Sequence, residues 1–351
     1  MNSKNRLVIS TPLEKEFVDR IADTDPDLID IHYAPDLLPP TRYRGDHKGI
    51  ENFERSPADE ERWCKMISNA DILFDIPPTP RDRPNPVTLA HELKWVQTTS
   101  SGVGPLVDSM GLIERNVLVT TARGIHAKPL SEFVFLSLLM HFKSLAYLRE
   151  QQTEKNWERY CGGSLAGKTL AIVGMGEVGQ KIAHLARAFG MNVVGILRQG
   201  SKETAASLEI DRTYKMTERQ KWLSDIDAVV LCAPHTPETE NMIDGSVLKA
   251  VKPGMVLINI ARGALVDEAA MIDALNSGQI AFAALDVAAV EPLPKSSPLW
   301  SMENVLISPH SASTVAEENA RITDLFCFNL RHFLEGRMSD MKNRFNTDRR
   351  Y

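Results

Sequence analysis

The sequence predicts an α/β protein of two domains, in which a doubly wound parallel sheet is inserted into a smaller α/β domain. Three observations carry that prediction. The chain has 351 residues, too many for one small core and suited to two domains of ordinary size. After Gly162-Gly163, short continuous apolar runs alternate with amphipathic stretches at helical spacing, as in a parallel sheet covered on both faces. The last amphipathic stretch, residues 315–335, follows the final strand and can return the chain to the first domain.

Composition sets outer bounds. Hydrophobic residues make up 43% of the chain and charged ones 25%, the balance of a soluble globular protein. Forty basic and 46 acidic side chains leave a formal net charge of −6, which argues against a general affinity for nucleic acid. The opening Met1-Asn-Ser-Lys-Asn-Arg6 runs into Leu7-Val-Ile-Ser10, an apolar stretch too short for a signal-peptide core. The longest apolar run, residues 133–140, is broken by His141 and Lys143 and cannot span a bilayer. Cys64, Cys161, Cys232 and Cys327 lack the paired spacing of a zinc or redox motif. Reduced thiols in a cytoplasmic protein, with no metal site, are therefore expected.

Taken in order, residues 7–10, 71–75 and 93–97 read as strands. Residues 35–57 form a polar, proline-punctuated stretch, expected to be a long loop. Residues 130–148 predict one helix, because Leu130, Val134, Leu138, Phe142, Leu145 and Leu148 recur at helical spacing. Phe133, Leu136 and Met140 widen its stripe, so the helix should be buried on several sides or form a subunit interface. The later strands are read at 169–173, 193–196, 228–232, 255–259, 281–286 and 305–308. Val178, Ile182, Leu185 and Phe189 give one helical stripe, closed by Gly190. Another helix is capped by Asp267 and runs through Ile272 and Leu275 to Gly278.

Gly174-Met175-Gly176-Glu177-Val178-Gly179 places G-x-G-x-x-G between a buried strand and an amphipathic helix. The first glycine permits a tight turn, the second lets backbone approach a pyrophosphate, and the third allows close helix–strand packing. In this context the motif predicts a Rossmann-type dinucleotide site. At the end of the next strand, an acid would bind the adenosine ribose and repel a 2′-phosphate. Arg198 stands there instead, with Ser201 and Lys202 close behind. Their charge and donors favour NADP, with NAD as the alternative.

Three further segments end predicted strands on the same carboxyl-terminal side of the sheet, where open α/β folds bind ligands. They contain Asn259-Ile260-Ala261-Arg262-Gly263, Asp286-Val-Ala-Ala-Val-Glu291-Pro292 and Ser308-Pro309-His310. Arg262 can clamp carboxylate and carbonyl oxygens with its planar fork. His310 can donate a proton in one direction and accept it in the other. Glu291, if hydrogen-bonded to His310, would favour the charged ring and fix its orientation.

With the glycine fingerprint, these motifs resemble the D-isomer-specific 2-hydroxyacid dehydrogenase family, over most of the chain from about Lys94 onward. The resemblance implies a hydride transfer between NADP(H) or NAD(H) and a 2-keto acid/D-2-hydroxy acid pair, of the glyoxylate/hydroxypyruvate type. It assigns catalysis to Arg262, Glu291 and His310, and has Asp286 orient the nicotinamide carboxamide. Ala233, Pro234, Ile260, Ala261 and His310 would also border the cofactor. Backbone groups of Ser101, Gly102 and Val103 would join Arg262 on the substrate. It further implies a flavodoxin-like substrate domain, residues 1–123 plus 320–351, around a dinucleotide-binding domain of residues 124–319. A homodimer through the 130–148 helix is also implied.

Two features depart from the family or divide it. Gly104 follows Val103 where the family often has Asp or Asn, and Glu291 argues against the formate dehydrogenase branch, where glutamine is expected. Ending at Tyr351, the chain leaves no room for the extra regulatory domain of some phosphoglycerate dehydrogenase relatives. The competing reading is a nucleotide-sensing, corepressor-like binding protein of the same fold.

Overall fold

The computed structural model describes residues 4–50, 52–79, 83–199, 202–218 and 221–347. It divides into two units, Met1–Ile125 with Thr314–Tyr351, and His126–Ser313. The first begins with β1 (Asn5–Ile9), α1 (Lys15–Ala22), β2 (Ile29–His32), α2 (Pro57–Ser68) and β3 (Ile72–Phe74). It continues with β4 (Trp95–Gln97), α3 (Gly104–Ser109) and β5 (Leu118–Thr120).

The second unit opens on α4 (Ala127–Phe142) and α5 (Leu145–Glu154). There follow β6 (Thr169–Val173), α6 (Glu177–Ala188), β7 (Asn192–Leu197), α7 (Lys202–Ser207) and β8 (Arg212–Lys215). Next come β9 (Ala228–Leu231), α8 (Gly245–Ala250), β10 (Met255–Asn259), α9 (Glu268–Asn276), β11 (Ile280–Leu285) and β12 (Val305–Ile307). The closing helix α10 (Glu318–Leu334) belongs to the first unit.

All strands pair in parallel. The first sheet runs β2-β1-β3-β4-β5 and the second β12-β11-β10-β9-β6-β7-β8. Both are α/β sheets of the expected class, the second in the doubly wound Rossmann-type order.

Two-residue periodicity sorts each strand between two cores. In the first unit Leu7, Ile9, Phe74 and Trp95 pack on α1 and α10. Val8, Leu73, Val96 and Val119 pack on the opposite face against Trp63, Ile67 and Val107. Trp95 stacks on Phe326 at 4.9 Å and hands its indole N–H to Thr120 Oγ1 at 2.9 Å. In the second unit Leu170 and Ile172 meet Val134, Leu138, Ile182 and Ala186. Ala171 and Val173 meet Leu248, Met271 and Leu275 through the opposite core.

Several boundaries differ from the sequence reading. The 130–148 stretch is two helices, not one, because Lys143 ends α4 and Ser144 turns left-handed at φ +52°. Apolar spacing runs on across this break, so periodicity alone could not place it. The tail helix is shorter than 315–335. Strands β2, β5 and β8 went unread: each is short, and Ile29-Asp-Ile-His32 and Arg212-Thr-Tyr-Lys215 carry polar or charged residues.

Residues 35–57 do form a loop, with one 3-10 turn at Pro35–Leu37 and α2 starting at Pro57. Asp46 pins it. Its carboxylate accepts from the Arg42 backbone N and Nε at 2.9 and 2.8 Å, and from Arg42 Nη2 at 3.0 Å. It also accepts from the Lys48 and Gly49 backbone N–H groups. Burial raises the Asp46 carboxyl, but these hydrogen bonds outweigh it and hold the group well below the usual carboxylate range. A depressed folded-state carboxyl stabilises above its unfolded range, and that contribution fades as pH falls through the range. Asp46→Asn should therefore lower the unfolding free energy by about 2 kcal/mol near neutrality. The deficit should shrink in denaturant melts at acidic pH; an equal deficit at both pH values contradicts the assignment.

Candidate active site

In the second sheet the strand order reverses between β6 and β9, and open α/β folds place ligands at such a switch point. The glycine loop follows β6 there. Gly174 has φ +95°, and a Cβ on it would come within 2.9 Å of the Ala233 backbone. A Cβ on Gly179 would lie 2.1 Å from the Gly174 carbonyl oxygen, so only glycine lets α6 sit this close. A Cβ on Gly176, in contrast, would meet nothing within 4 Å.

Gly176 caps α6 without a side-chain hydrogen bond, leaving the first helical N–H groups available to an anion. Met175 is buried, whereas Glu177 and Val178 begin the helix. These features fit a dinucleotide pyrophosphate over Gly176. The Cys232 thiol, just past β9, donates to the Gly174 carbonyl at 3.0 Å, and burial pushes it up to about 12. It is a partly buried prop for the loop rather than a reactive thiolate. Ala233 is buried, and the Pro234 carbonyl accepts from Thr239 Oγ1 at 2.8 Å.

Arg198 is exposed and immediately follows β7. Glu238 is close enough to feel it: a Thr236 hydrogen bond chiefly lowers the Glu238 carboxyl, and Arg198 adds a smaller pull. Ser201 lies outside the described residues, and of Lys202 only the backbone is described.

Beyond β10, Asn259 is buried and its amide shapes the turn. Oδ1 accepts the Ala261 N–H at 3.0 Å, and Nδ2 donates to the Arg262 carbonyl at 2.9 Å. Ile260 and Ala261 are buried, while Arg262 is exposed with Nη1 on the Ala261 carbonyl at 2.6 Å. Past β11, Asp286 is only 3% exposed. Its Oδ1 accepts from Ser308 Oγ and from the Ser311 and Ala312 N–H groups, each at 2.8 Å. That carboxylate therefore holds the turn carrying His310.

His310 sits in that turn at φ +53°, its N–H on the Asp286 carbonyl at 2.8 Å. Its Nδ1 lies 2.8 Å from Glu291 Oε2. The other Glu291 oxygen accepts the Ala288 N–H at 3.2 Å. With Nδ1–H donated to the carboxylate, Nε2 is the atom left to exchange a proton. His235 is not part of this cluster; Glu240 stands 4.0 Å from it.

Sequence reasoning passed over two residues that build the site. Asn259 sets the arginine turn, and Gly263 lets two turns touch. A Cβ on Gly263 would fall 1.9 Å from the Ala288 carbonyl oxygen. The Asn-Ile-Ala-Arg-Gly string was in view, but a contact 25 residues away in sequence leaves no local signal. Ser101, Gly102 and Val103 follow β4 in the first unit, with Val103 buried at the head of α3.

Residues 135–312 match the family model for the D-isomer specific 2-hydroxyacid dehydrogenase NAD binding domain. The chain belongs to the D-isomer specific 2-hydroxyacid dehydrogenase family. It is 30% identical to a glyoxylate reductase from Korarchaeum cryptofilum, over 84% of this chain and 90% of the relative. It spans only about half the length, 53% and 49%, of D-3-phosphoglycerate dehydrogenases that it also matches.

Among solved structures, a member of this dehydrogenase family from Aeromonas salmonicida superposes with a TM-score of 0.78 at 28% identity. That match covers 98% of this chain and 99% of the other. A second, from Xanthobacter autotrophicus in complex with NADPH and MES, gives 0.74 at 26% identity, covering 99% and 100%. The 2-hydroxyacid dehydrogenase resemblance read from the motifs is thereby established. Among the described residues no His, Cys, Asp or Glu group is placed to hold a metal ion. No helix there is long and apolar enough to cross a membrane.

The Gly263 contact yields a direct expectation. Gly263→Ala must push the Ala288–Ala289 backbone, and with it Glu291, away from the arginine turn. If these residues act in turnover, it should fall by on the order of a hundredfold, as a displacement of about 1 Å within an active site can cause. Nicotinamide-cofactor affinity, followed by fluorescence titration, should stay near wild type. Full turnover in this variant would contradict the packing argument.

Proposed function

We propose that this protein is an NADP(H)-preferring 2-keto acid reductase that interconverts small 2-keto acids and D-2-hydroxy acids, of the glyoxylate/hydroxypyruvate type. The observation that carries the reading is the His310–Glu291 pair at 2.8 Å, held by Asp286 at the carboxyl end of a dinucleotide-type sheet. When bound, the cofactor supplies the hydride in reduction and takes it up in oxidation.

Arg262 binds the substrate carboxylate and polarises its 2-oxo group. The backbone groups of Ser101, Gly102 and Val103 are further proposed substrate contacts. His310 Nε2 gives a proton to the substrate oxygen in reduction and takes it back in oxidation. Glu291 keeps the ring oriented, with its Oε2 2.8 Å from Nδ1. Gly174, Met175, Gly176, Glu177, Val178 and Gly179 hold the pyrophosphate. Ala233, Pro234, Ile260, Ala261 and Asp286 border the rest of the cofactor, Asp286 through the nicotinamide carboxamide.

Arg198, with Ser201, favours the 2′-phosphate of NADP. The glyoxylate reductase among the relatives supports the small-substrate reading, and the NADPH complex of a structural relative supports the cofactor reading. The test follows reduced-cofactor absorbance against glyoxylate, hydroxypyruvate and bulkier 2-keto acids, with both cofactors. Tight nucleotide binding with no turnover on any of them would favour a nucleotide-sensing, corepressor-like protein instead. Arg198→Asp should cut kcat/KM with NADPH by about tenfold or more relative to NADH, the loss of one charged contact. An unchanged ratio would remove Arg198 from cofactor choice.

We further propose a homodimer in the cytoplasm. All four cysteines are free, which fits a reducing compartment. Helix α5 has ten residues and none of them is buried, too short to be stable without packing. The exposed segment after it carries Trp157 at 99% exposure, and Leu136 on α4 is 51% exposed. Apolar surface of this kind marks an interface, and a second copy covering α4, α5 and Trp157 accounts for it. Light scattering should give twice the chain mass of 39.1 kDa, and Leu136→Glu with Trp157→Ala should shift it toward one chain. A single-chain mass for the wild type would exclude the dimer.

A further inference from the structure

In the first unit, β3 is followed by Asp75, which takes the left-handed conformation at φ +69°. A short polar side chain that bonds locally tolerates this region better than most. The residue joins three strand ends. Its N–H donates to the Gln97 carbonyl at 2.7 Å, extending the ladder toward β4. Its carbonyl accepts Ser10 Oγ, just after β1, at 2.8 Å. Its carboxylate takes both donors of Thr99: the backbone N–H at 3.1 Å and Oγ1 at 2.8 Å.

Thr99 is 4% exposed and stands two residues before Ser101. The flanking backbone is fixed as well. The Thr98 N–H donates to Thr120 O at 2.9 Å, and the Ser100 carbonyl accepts Thr98 Oγ1 and the Ala122 N–H. Beyond Thr99 the N–H groups change: among the described residues, those of Ser100, Ser101, Gly102 and Val103 donate no hydrogen bond. A stretch of available donors that includes Ser101, Gly102 and Val103 thus follows directly on one clamped by a carboxylate.

We propose that Asp75 is a positioning residue for 2-keto acid binding, gripping Thr99 so that the Ser101, Gly102 and Val103 N–H groups are set to receive the substrate carboxylate. This rests on the substrate role proposed above for that loop. Asp75 does not touch the substrate. With both oxygens spent on Thr99, its charge is satisfied within the fold, and it acts by removing loop freedom before binding. Preorganised donors lose little entropy when an anion arrives, so loosening the clamp falls mainly on KM.

The experiment compares full-length wild type with Asp75→Asn, Asp75→Ala, Thr99→Val and Thr99→Ser. It measures kcat and KM for the best 2-keto acid, cofactor Kd by fluorescence, and Tm. Asp75→Asn should raise KM on the order of tenfold, with kcat less affected and cofactor Kd unchanged. Thr99→Val should lie between it and wild type, and Thr99→Ser, which keeps both donors, should behave as wild type. If Asp75→Ala does not fold, the asparagine and valine variants carry the test.

A fall in Tm and kcat at unchanged KM would overturn the proposal and leave Asp75 a purely structural link. Gly102→Val separates this from failure of the underlying reading. If crowding Gly102 leaves KM unchanged, the loop does not meet substrate and both ideas fall. If Gly102→Val raises KM and Asp75→Asn does not, only the role of Asp75 falls.

Discussion

Asp286 is buried at the end of β11, and one of its carboxylate oxygens gathers three hydrogen bonds from the turn at the end of β12. Burying a carboxylate is unfavourable unless its lone pairs are satisfied. Here Ser308, Ser311 and Ala312 satisfy Oδ1, and in doing so they fix the turn in which His310 takes its left-handed backbone. Removing that carboxylate would release the turn and with it the 2.8 Å contact to Glu291. A residue expected to orient a cofactor thus has a second task, holding the residue proposed to transfer the proton in register.

The same strategy recurs along the carboxyl edges of both sheets. Asn259 bends the chain after β10 so that Arg262 projects outward, and Gly263 admits the Ala288 carbonyl where any side chain would collide. Cys232 props the glycine loop from below. In the first unit Asp75 draws the ends of β1, β3 and β4 together. In the Asn259, Cys232 and Asp75 cases a buried or half-buried polar group, not a residue proposed to do chemistry, sets the path of the turn beside it. Regular β strands supply rigid stems, and short side-chain-to-backbone bonds aim what stands on them.

Much of this was legible in the sequence because its signals are local. The G-x-G-x-x-G string, the buried runs of β6, β9, β10 and β11, and the order of Arg262, Glu291 and His310 can all be read within a few residues. Other features depend on contacts distant in sequence. The break at Ser144 interrupts neither apolar spacing nor propensity. β2 and β8 look polar because they flank their sheets. Gly263 matters only through Ala288, and Asp75 only through Thr99. The loop at residues 35–57 shows in its prolines and polar residues, but its anchoring by Asp46 needs the folded path of Arg42, Lys48 and Gly49.

The central claim is that His310, held by Glu291, moves the proton in both directions of one reaction. It is tested most directly by kcat/KM for keto-acid reduction and hydroxy-acid oxidation in wild type, His310→Ala and Glu291→Gln. Both directions pass their proton through Nε2, so His310→Ala should lower both by roughly a hundred- to ten-thousandfold. Glu291→Gln removes the carboxylate 2.8 Å from Nδ1 and should lower both by about tenfold or more, with cofactor affinity unchanged. Full activity in either variant would contradict the account.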